Sequence, residues 1–240
     1  ELMGHKPFLV IADWLARHGI ASLRYDDRGV GQSTGDAAKA TTYDNMLDAL
    51  AGIDFLKTTK EFGKIGVLGH SEGGTIGYML AARGKADFVV SLAGPALRGD
   101  SILLMQNRDI LKKAGLDDEN INNYAEALRR IFQYKVSGNK LRFASKPEAL
   151  LPILTSDINL PEQLRQNLLE TIKQLDGEWL NYFISYDPAA DLRQTKCPVM
   201  LLGGDRDTQV RAKENISAAK SLLPKNSKNL FKEYPNANHL

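Results

Sequence analysis

Four positions carry the side chains that a proton-relay nucleophile needs, in a telling order: Ser71, Asp205, Asp207 and His239. Ser71 sits in Ile65-Gly-Val-Leu-Gly-His-Ser-Glu-Gly-Gly74, where an apolar run enters a glycine-rich turn and a helical pattern follows at once. Such a turn can cradle a phosphate, let packed elements approach closely, or hold one hydroxyl out as a nucleophile. The phosphate reading lacks its lysine, and Gly69 to Gly74 does not fit the dinucleotide spacing G-x-G-x-x-G. Gly69-His-Ser-Glu-Gly73 does fit G-x-S-x-G, and it falls where a buried strand becomes a helix. In that setting the serine occupies a strained turn, and the Glu72 backbone N–H, first in the helix, is free to stabilise an oxyanion.

A serine hydroxyl is a weak nucleophile until a base takes its proton, and the base needs an orienting acid. The chain has only four histidines. His5 precedes the first helical pattern, His18 ends it, and strand alternation is expected to point His70 away from Ser71. His239, in Pro-Asn-Ala-Asn-His after the final apolar run, is left as the candidate base. For the acid, Val199-Met-Leu-Leu-Gly-Gly-Asp-Arg-Asp207 delivers a strand straight into a loop bearing Asp205 and Asp207. The chain order is then serine, aspartate, histidine.

The elements that must position these groups are legible from periodicity. Residues 8–18 have helical apolar spacing, with Pro7 at the start and Gly19 at the end. Residues 20–25 read as a short strand, 41–59 as an amphipathic helix, 64–69 as a buried strand, 72–84 as a helix and 87–95 as a strand. Short turns between alternating strands and helices predict a parallel sheet with helices on both faces. From about 97 to 186 only helical patterns occur, and the α/β rhythm returns with strands at 197–204 and 229–235 around a helix at 211–223. The expectation is one α/β core, residues 1–96 and 187–240, interrupted by a helical insertion over 97–186.

The totals narrow the field. The 240 residues are 43% hydrophobic and 25% charged, an ordinary globular composition. Thirty-one basic residues stand against 29 acidic ones and are scattered, which points away from a nucleic-acid partner. No apolar run approaches the roughly 20 residues of a membrane span. Cys197, the lone cysteine, can form no internal disulfide; it reads as core packing and is compatible with either redox compartment.

Taken together, the sequence resembles the α/β-hydrolases, and among them the bacterial short-chain serine carboxylesterases. The resemblance rests on 7–35, Gly69-His-Ser-Glu-Gly-Gly74, 182–210 and 233–240, nearly everything outside the helical insertion. It implies an α/β-hydrolase fold with a helical cap, a Ser71–His239–Asp207 triad, the Glu72 N–H as oxyanion donor and a small-molecule ester substrate. No metal or organic cofactor is implied. Asp207, three residues before Val210, matches the family's acid, whereas Asp205 falls on a variable position. The family's D-x-R-G-x-G-x-S loop corresponds to Asp26, Arg28, Gly29, Gly31 and Ser33, read as a tight loop braced by an Arg–Asp pair. The family's second oxyanion donor lies in a loop at or before Glu1, and its early strands and final helix have no counterpart. The resemblance therefore implies a longer protein, or ends omitted through disorder. In the insertion, Leu103, Leu104, Met105, Phe132, Tyr134, Trp179, Tyr182 and Phe183 are candidate acyl-pocket walls, though most read more simply as the insertion's own core.

Overall fold

The computed structural model describes residues 4–137 and 146–239. By its contacts the chain divides into residues 1–37 and 38–240. In the first unit, helix α1 (Pro7–Arg17) starts on its proline and buries none of its residues. Asp13 and Arg17 pair one turn apart at 2.8 Å, and the Trp14 and His18 rings stack at 3.8 Å. Residues 20–25, expected as a strand, are not one. A strand exists by exchanging a ladder of hydrogen bonds with a neighbouring strand; among the described residues no such ladder includes this segment, and Ile20, Leu23 and Tyr25 stay exposed. The loop beyond closes on itself, the Ser33 hydroxyl donating to the Asp26 carbonyl at 2.6 Å.

The second unit is built on four parallel strands, β1 (Val67–His70), β2 (Val89–Leu92), β3 (Val199–Gly204) and β4 (Leu230–Tyr234), in spatial order β1-β2-β3-β4. Parallel neighbours require crossover connections. Helix α3 (Glu72–Ala82) joins β1 to β2, and α10 (Ala212–Leu222) joins β3 to β4. Val89, Val199 and Leu201 face Tyr78 and Ala81 of α3, Ala212, Ile216 and Ala219 of α10, and Leu192 of α9 (Ala189–Gln194). Alternate residues Val90, Leu92, Met200 and Leu202 are only half-buried. Cys197 packs at the edge of the same core, and burial pushes its thiol pKa up. Tyr78 is the one large polar group in this layer. Its hydroxyl donates to Ser91 at 2.8 Å, which removes the cost of burying both groups unpaired.

Helix α2 (Thr42–Thr59) opens with a capping box: Thr41 accepts from the Asp44 N–H, and Asp44 accepts from the Thr41 N–H. Met46 and Ile53 of α2 meet Met79 and Leu80 of α3 in a second cluster. Between β2 and α9 the described residues form only helices: α4 (Gly99–Lys113), α5 (Asp118–Val136), α6 (Pro147–Leu154), α7 (Glu162–Gln174) and α8 (Glu178–Ser185). Helix α5 shows why they hold together: Ile121, Tyr124, Ala125, Leu128, Ile131 and Phe132 form one buried stripe. Ile121, Tyr124, Leu128, Ile131 and Phe132 of that stripe meet Leu111, Leu151, Leu164, Leu168, Leu175 and Ile184 in a core separate from those beside the sheet. Phe132 is wholly inside it, with Leu103, Leu104, Tyr134 and Phe183 against its edge, so these candidate pocket walls serve the helices' own packing.

Truncating Leu168, which is fully buried in that core, should cost about 2–5 kcal/mol for Leu168→Ala, because the surrounding helices relax only partly into the void. A urea titration followed by circular dichroism reads this as a lowered midpoint; an unshifted midpoint would contradict the packing described.

Candidate active site

The turn at the end of β1 is shaped by steric necessity. Ser71 has φ 53° and ψ −120°, a conformation that costs a non-glycine residue about 1–3 kcal/mol and persists only where its surroundings impose it. Its N–H still donates to Leu92 O at 2.8 Å, and its carbonyl accepts from Gly74 N–H at 2.9 Å. The chain folds back so tightly that a Cβ on Gly69 would lie 2.1 Å from the Gly73 carbonyl. Ser71 stands at the N-cap position of α3 but makes no side-chain cap bond, so its hydroxyl is not spent on the helix. The Glu72 N–H belongs to the first turn of α3, where the helix's own ladder offers no acceptor and the dipole favours negative charge.

Asp207 follows β3 with its side chain fully enclosed, and the His239 side chain is 8% exposed. One carboxylate oxygen of Asp207 accepts from the Gln209 and Val210 N–H groups, each at 2.8 Å. The other lies 2.7 Å from His239 Nδ1. A buried carboxylate is tolerable only when its lone pairs find donors, and here three donors converge on it. With Nδ1–H given to Asp207, the neutral imidazole presents Nε2 as an acceptor.

Asp205 does something else. Its carboxylate accepts from the Asn236 N–H at 2.7 Å, its own N–H donates to Tyr234 O at 3.0 Å, and the Arg206 N–H donates to Ala237 O at 3.0 Å. Gly204 makes room for this loop, since a Cβ there would lie 2.1 Å from Ala237 O. Thus Asp205 pins the loop that carries His239, and Asp207 reaches the imidazole itself.

His70 makes a contact the sequence did not foresee: its Nε2 lies 2.6 Å from the His239 carbonyl oxygen, and the two rings are 4.6 Å apart. Strand alternation governs direction only inside the ladder; β1 ends at His70, and the turn at Ser71 together with the returning 235–239 loop brings the rings together. Sequence reasoning missed this contact because it joins residues 169 positions apart. Burial lowers the His70 pKa, the bond to the His239 carbonyl partly opposes that, and nearby His239 and Asp207 act with smaller, opposite effects. Among the described residues no cluster of three or more His, Cys, Asp or Glu could hold a metal, and no helix is long and apolar enough to cross a membrane.

A four-stranded parallel sheet flanked by helices, with a strand–turn–helix at Ser71 and a strand-end aspartate bonded to a histidine, defines an α/β-hydrolase fold. The chain belongs to the family described as serine aminopeptidase, S33, whose model matches residues 6–240. It is 27% identical over 239 residues to esterase EstD of Thermotoga maritima, a match covering 98% of this chain and 49% of the relative. The chain therefore spans about half the length of that curated relative. Among solved structures, a carboxylesterase study of the thaumarchaeon Nitrososphaera gargenis provides a match at 20% identity and TM-score 0.55, covering 97% of this chain and 77% of the other. The monoacylglycerol lipase of Paleococcus ferrophilus matches at 16% identity and TM-score 0.54, covering 98% and 80%. At these identities the structures speak for the fold.

Two outcomes test the geometry. On the expected Ser71–His239–Asp207 triad, Asp207→Asn should lower kcat on the order of 10⁴-fold, since the amide holds the wrong tautomer, whereas Asp205→Asn should cost far less. Steady-state kinetics on both variants check this, and the reverse ranking would overturn the assignment. For His70, the folded pKa lies below the unfolded value of 6.5, so the unfolded chain takes up the proton first as pH falls. The stability this neutral ring contributes is complete above pH 6.5 and is lost as pH falls through the folded value. Melting temperatures measured from pH 7.5 to 5 should fall less steeply for His70→Asn than for the parent.

Proposed function

We propose that this chain carries the catalytic centre of a serine hydrolase that cleaves carboxylic esters through an acyl-enzyme. Ser71 Oγ attacks the ester carbonyl carbon while His239 Nε2 takes its proton, and Asp207 holds the imidazole in the accepting tautomer and stabilises the imidazolium. The Glu72 N–H donates to the developing oxyanion. As the tetrahedral intermediate collapses, His239 returns the proton to the departing alcohol oxygen. Water, deprotonated by the same imidazole, then attacks the acyl carbon and frees Ser71. Helices α4–α8, within residues 97–186, act in this reading as a cap over the nucleophile.

The observation that most supports it is the 2.7 Å bond between His239 Nδ1 and buried Asp207, in a chain whose serine occupies the strained turn at φ 53° with a hydroxyl that makes no cap bond to the helix. The name of the Thermotoga relative, an esterase, favours the ester as substrate. A second reading, hydrolysis of an amide at a peptide N-terminus, draws its support from the family's description as serine aminopeptidase. The same relay serves both, with His239 protonating an amine in place of an alcohol.

Paired substrates separate these readings. Hydrolysis of p-nitrophenyl butyrate is expected to exceed that of alanine p-nitroanilide, and Ser71→Ala should lose at least about 10³-fold in kcat. Preference for the anilide would move the assignment to the peptidase, while undiminished hydrolysis by Ser71→Ala would remove the mechanism altogether.

A further inference from the structure

The mechanism uses only the backbone N–H of Glu72, yet its side chain is held by two donors of its own. Glu72 Oε1 accepts from Thr42 Oγ1 at 2.5 Å and from Trp179 Nε1 at 2.7 Å. Thr42 is 1% exposed and stands in the first turn of α2, whose N-terminal amides favour a carboxylate. Glu72 is therefore anchored from below by a buried hydroxyl and reaches up to an indole carried by α8. Trp179, in contrast, is 39% exposed. Its single polar atom is engaged by Glu72, so the open part of the ring is apolar, and Phe183 stacks against it at 5.2 Å and 14°.

The rest of α8 explains how an exposed indole can hold one position. Trp179, Tyr182, Phe183 and Tyr186 follow one another at helical spacing. Tyr182 and Tyr186 pack on the cluster formed by α2 and α3, while Phe183 packs on the core of the helical segment. The α4 end is drawn in as well, since a Cβ on Gly99 would lie 2.0 Å from the Phe183 carbonyl. The helix is fixed on two sides, and Trp179 is the aromatic residue of this stripe that is left open, tied to the residue next to Ser71.

We propose that Trp179 is a substrate-contacting residue and Glu72 its positioning residue, the pair forming an apolar wall beside the nucleophile that favours esters of longer aliphatic acids. This rests on the assignment of Ser71 as the nucleophile. The alternative is that Trp179 merely fastens α8 to α3, which would affect stability without sorting substrates. An apolar ring favours a ligand in proportion to the apolar area it covers, so an acetyl group gains little from it and an octanoyl chain gains more.

The test compares p-nitrophenyl acetate with p-nitrophenyl octanoate on the full chain. Trp179→Ala should raise KM for the octanoate roughly tenfold and leave the acetate within about twofold. Trp179→Phe, which keeps a ring but not the N–H, should shift the octanoate less. Glu72→Ala should raise the octanoate KM in the same direction, and the double variant should show little added effect, because both changes remove one contact. Glu72→Gln, which retains an acceptor oxygen, should recover octanoate KM relative to Glu72→Ala. Equal changes for both esters, or an unchanged octanoate-to-acetate ratio in Trp179→Ala and Trp179→Phe, would overturn the proposal while leaving the Ser71 reading intact. Undiminished activity in Ser71→Ala would overturn both.

Discussion

The Asp207 carboxylate has no contact with solvent, and much of the sheet's C-terminal edge is organised around satisfying it. Two backbone amides of its own loop take one oxygen and the His239 imidazole takes the other. An enclosed carboxylate lacking any of these would face a desolvation cost of several kcal/mol. The 235–239 loop is consequently held at both ends, by Asp205 and Arg206 near the sheet and by His70 at the His239 carbonyl. The imidazole is thus oriented by its backbone as well as by Asp207.

A second constraint is steric. Neighbouring parallel strands bring β1 and β3 to the same edge, so a turn after β1 and a loop after β3 emerge together although they are over 130 residues apart in sequence. The ends of such strands are where parallel sheets place ligands. The backbone at Ser71 is strained, and its surroundings impose that strain: the Leu92 bond holds one side and the close approach of Gly69 to Gly73 the other. The helical segment meets this edge through α8, which shares its aromatic residues between two cores.

Local periodicity made most of these elements legible. The helices at 42–59, 72–82 and 212–222 and strands β2, β3 and β4 lie within stretches whose apolar spacing or run length already indicated them, while α1 starts one residue before its stretch and β1 ends one residue past its own. Segment 20–25 also reads as a strand and is not one, because residue type makes a strand possible and a hydrogen-bonded ladder with a neighbouring strand makes it real. The surroundings of a side chain at an element's end were equally illegible: nothing local to His70 indicated that the turn and the returning loop set it against His239. The bond between Glu72 and Trp179 spans 107 positions and has no local signature at all.

The sequence by itself therefore determined the α/β alternation, the glycine-bounded turn at Ser71, the strand-end aspartates and the scarcity of histidines, since each follows from residue type and near-neighbour spacing. Only the tertiary structure decided how the Asp207 carboxylate is satisfied, what braces the histidine loop and which aromatic residue stands at the elbow. Those outcomes depend on the register of parallel strands and on loops crossing their ends. Distances of a few ångströms there are set by the packing of the whole sheet and its helices, which no local stretch of sequence encodes.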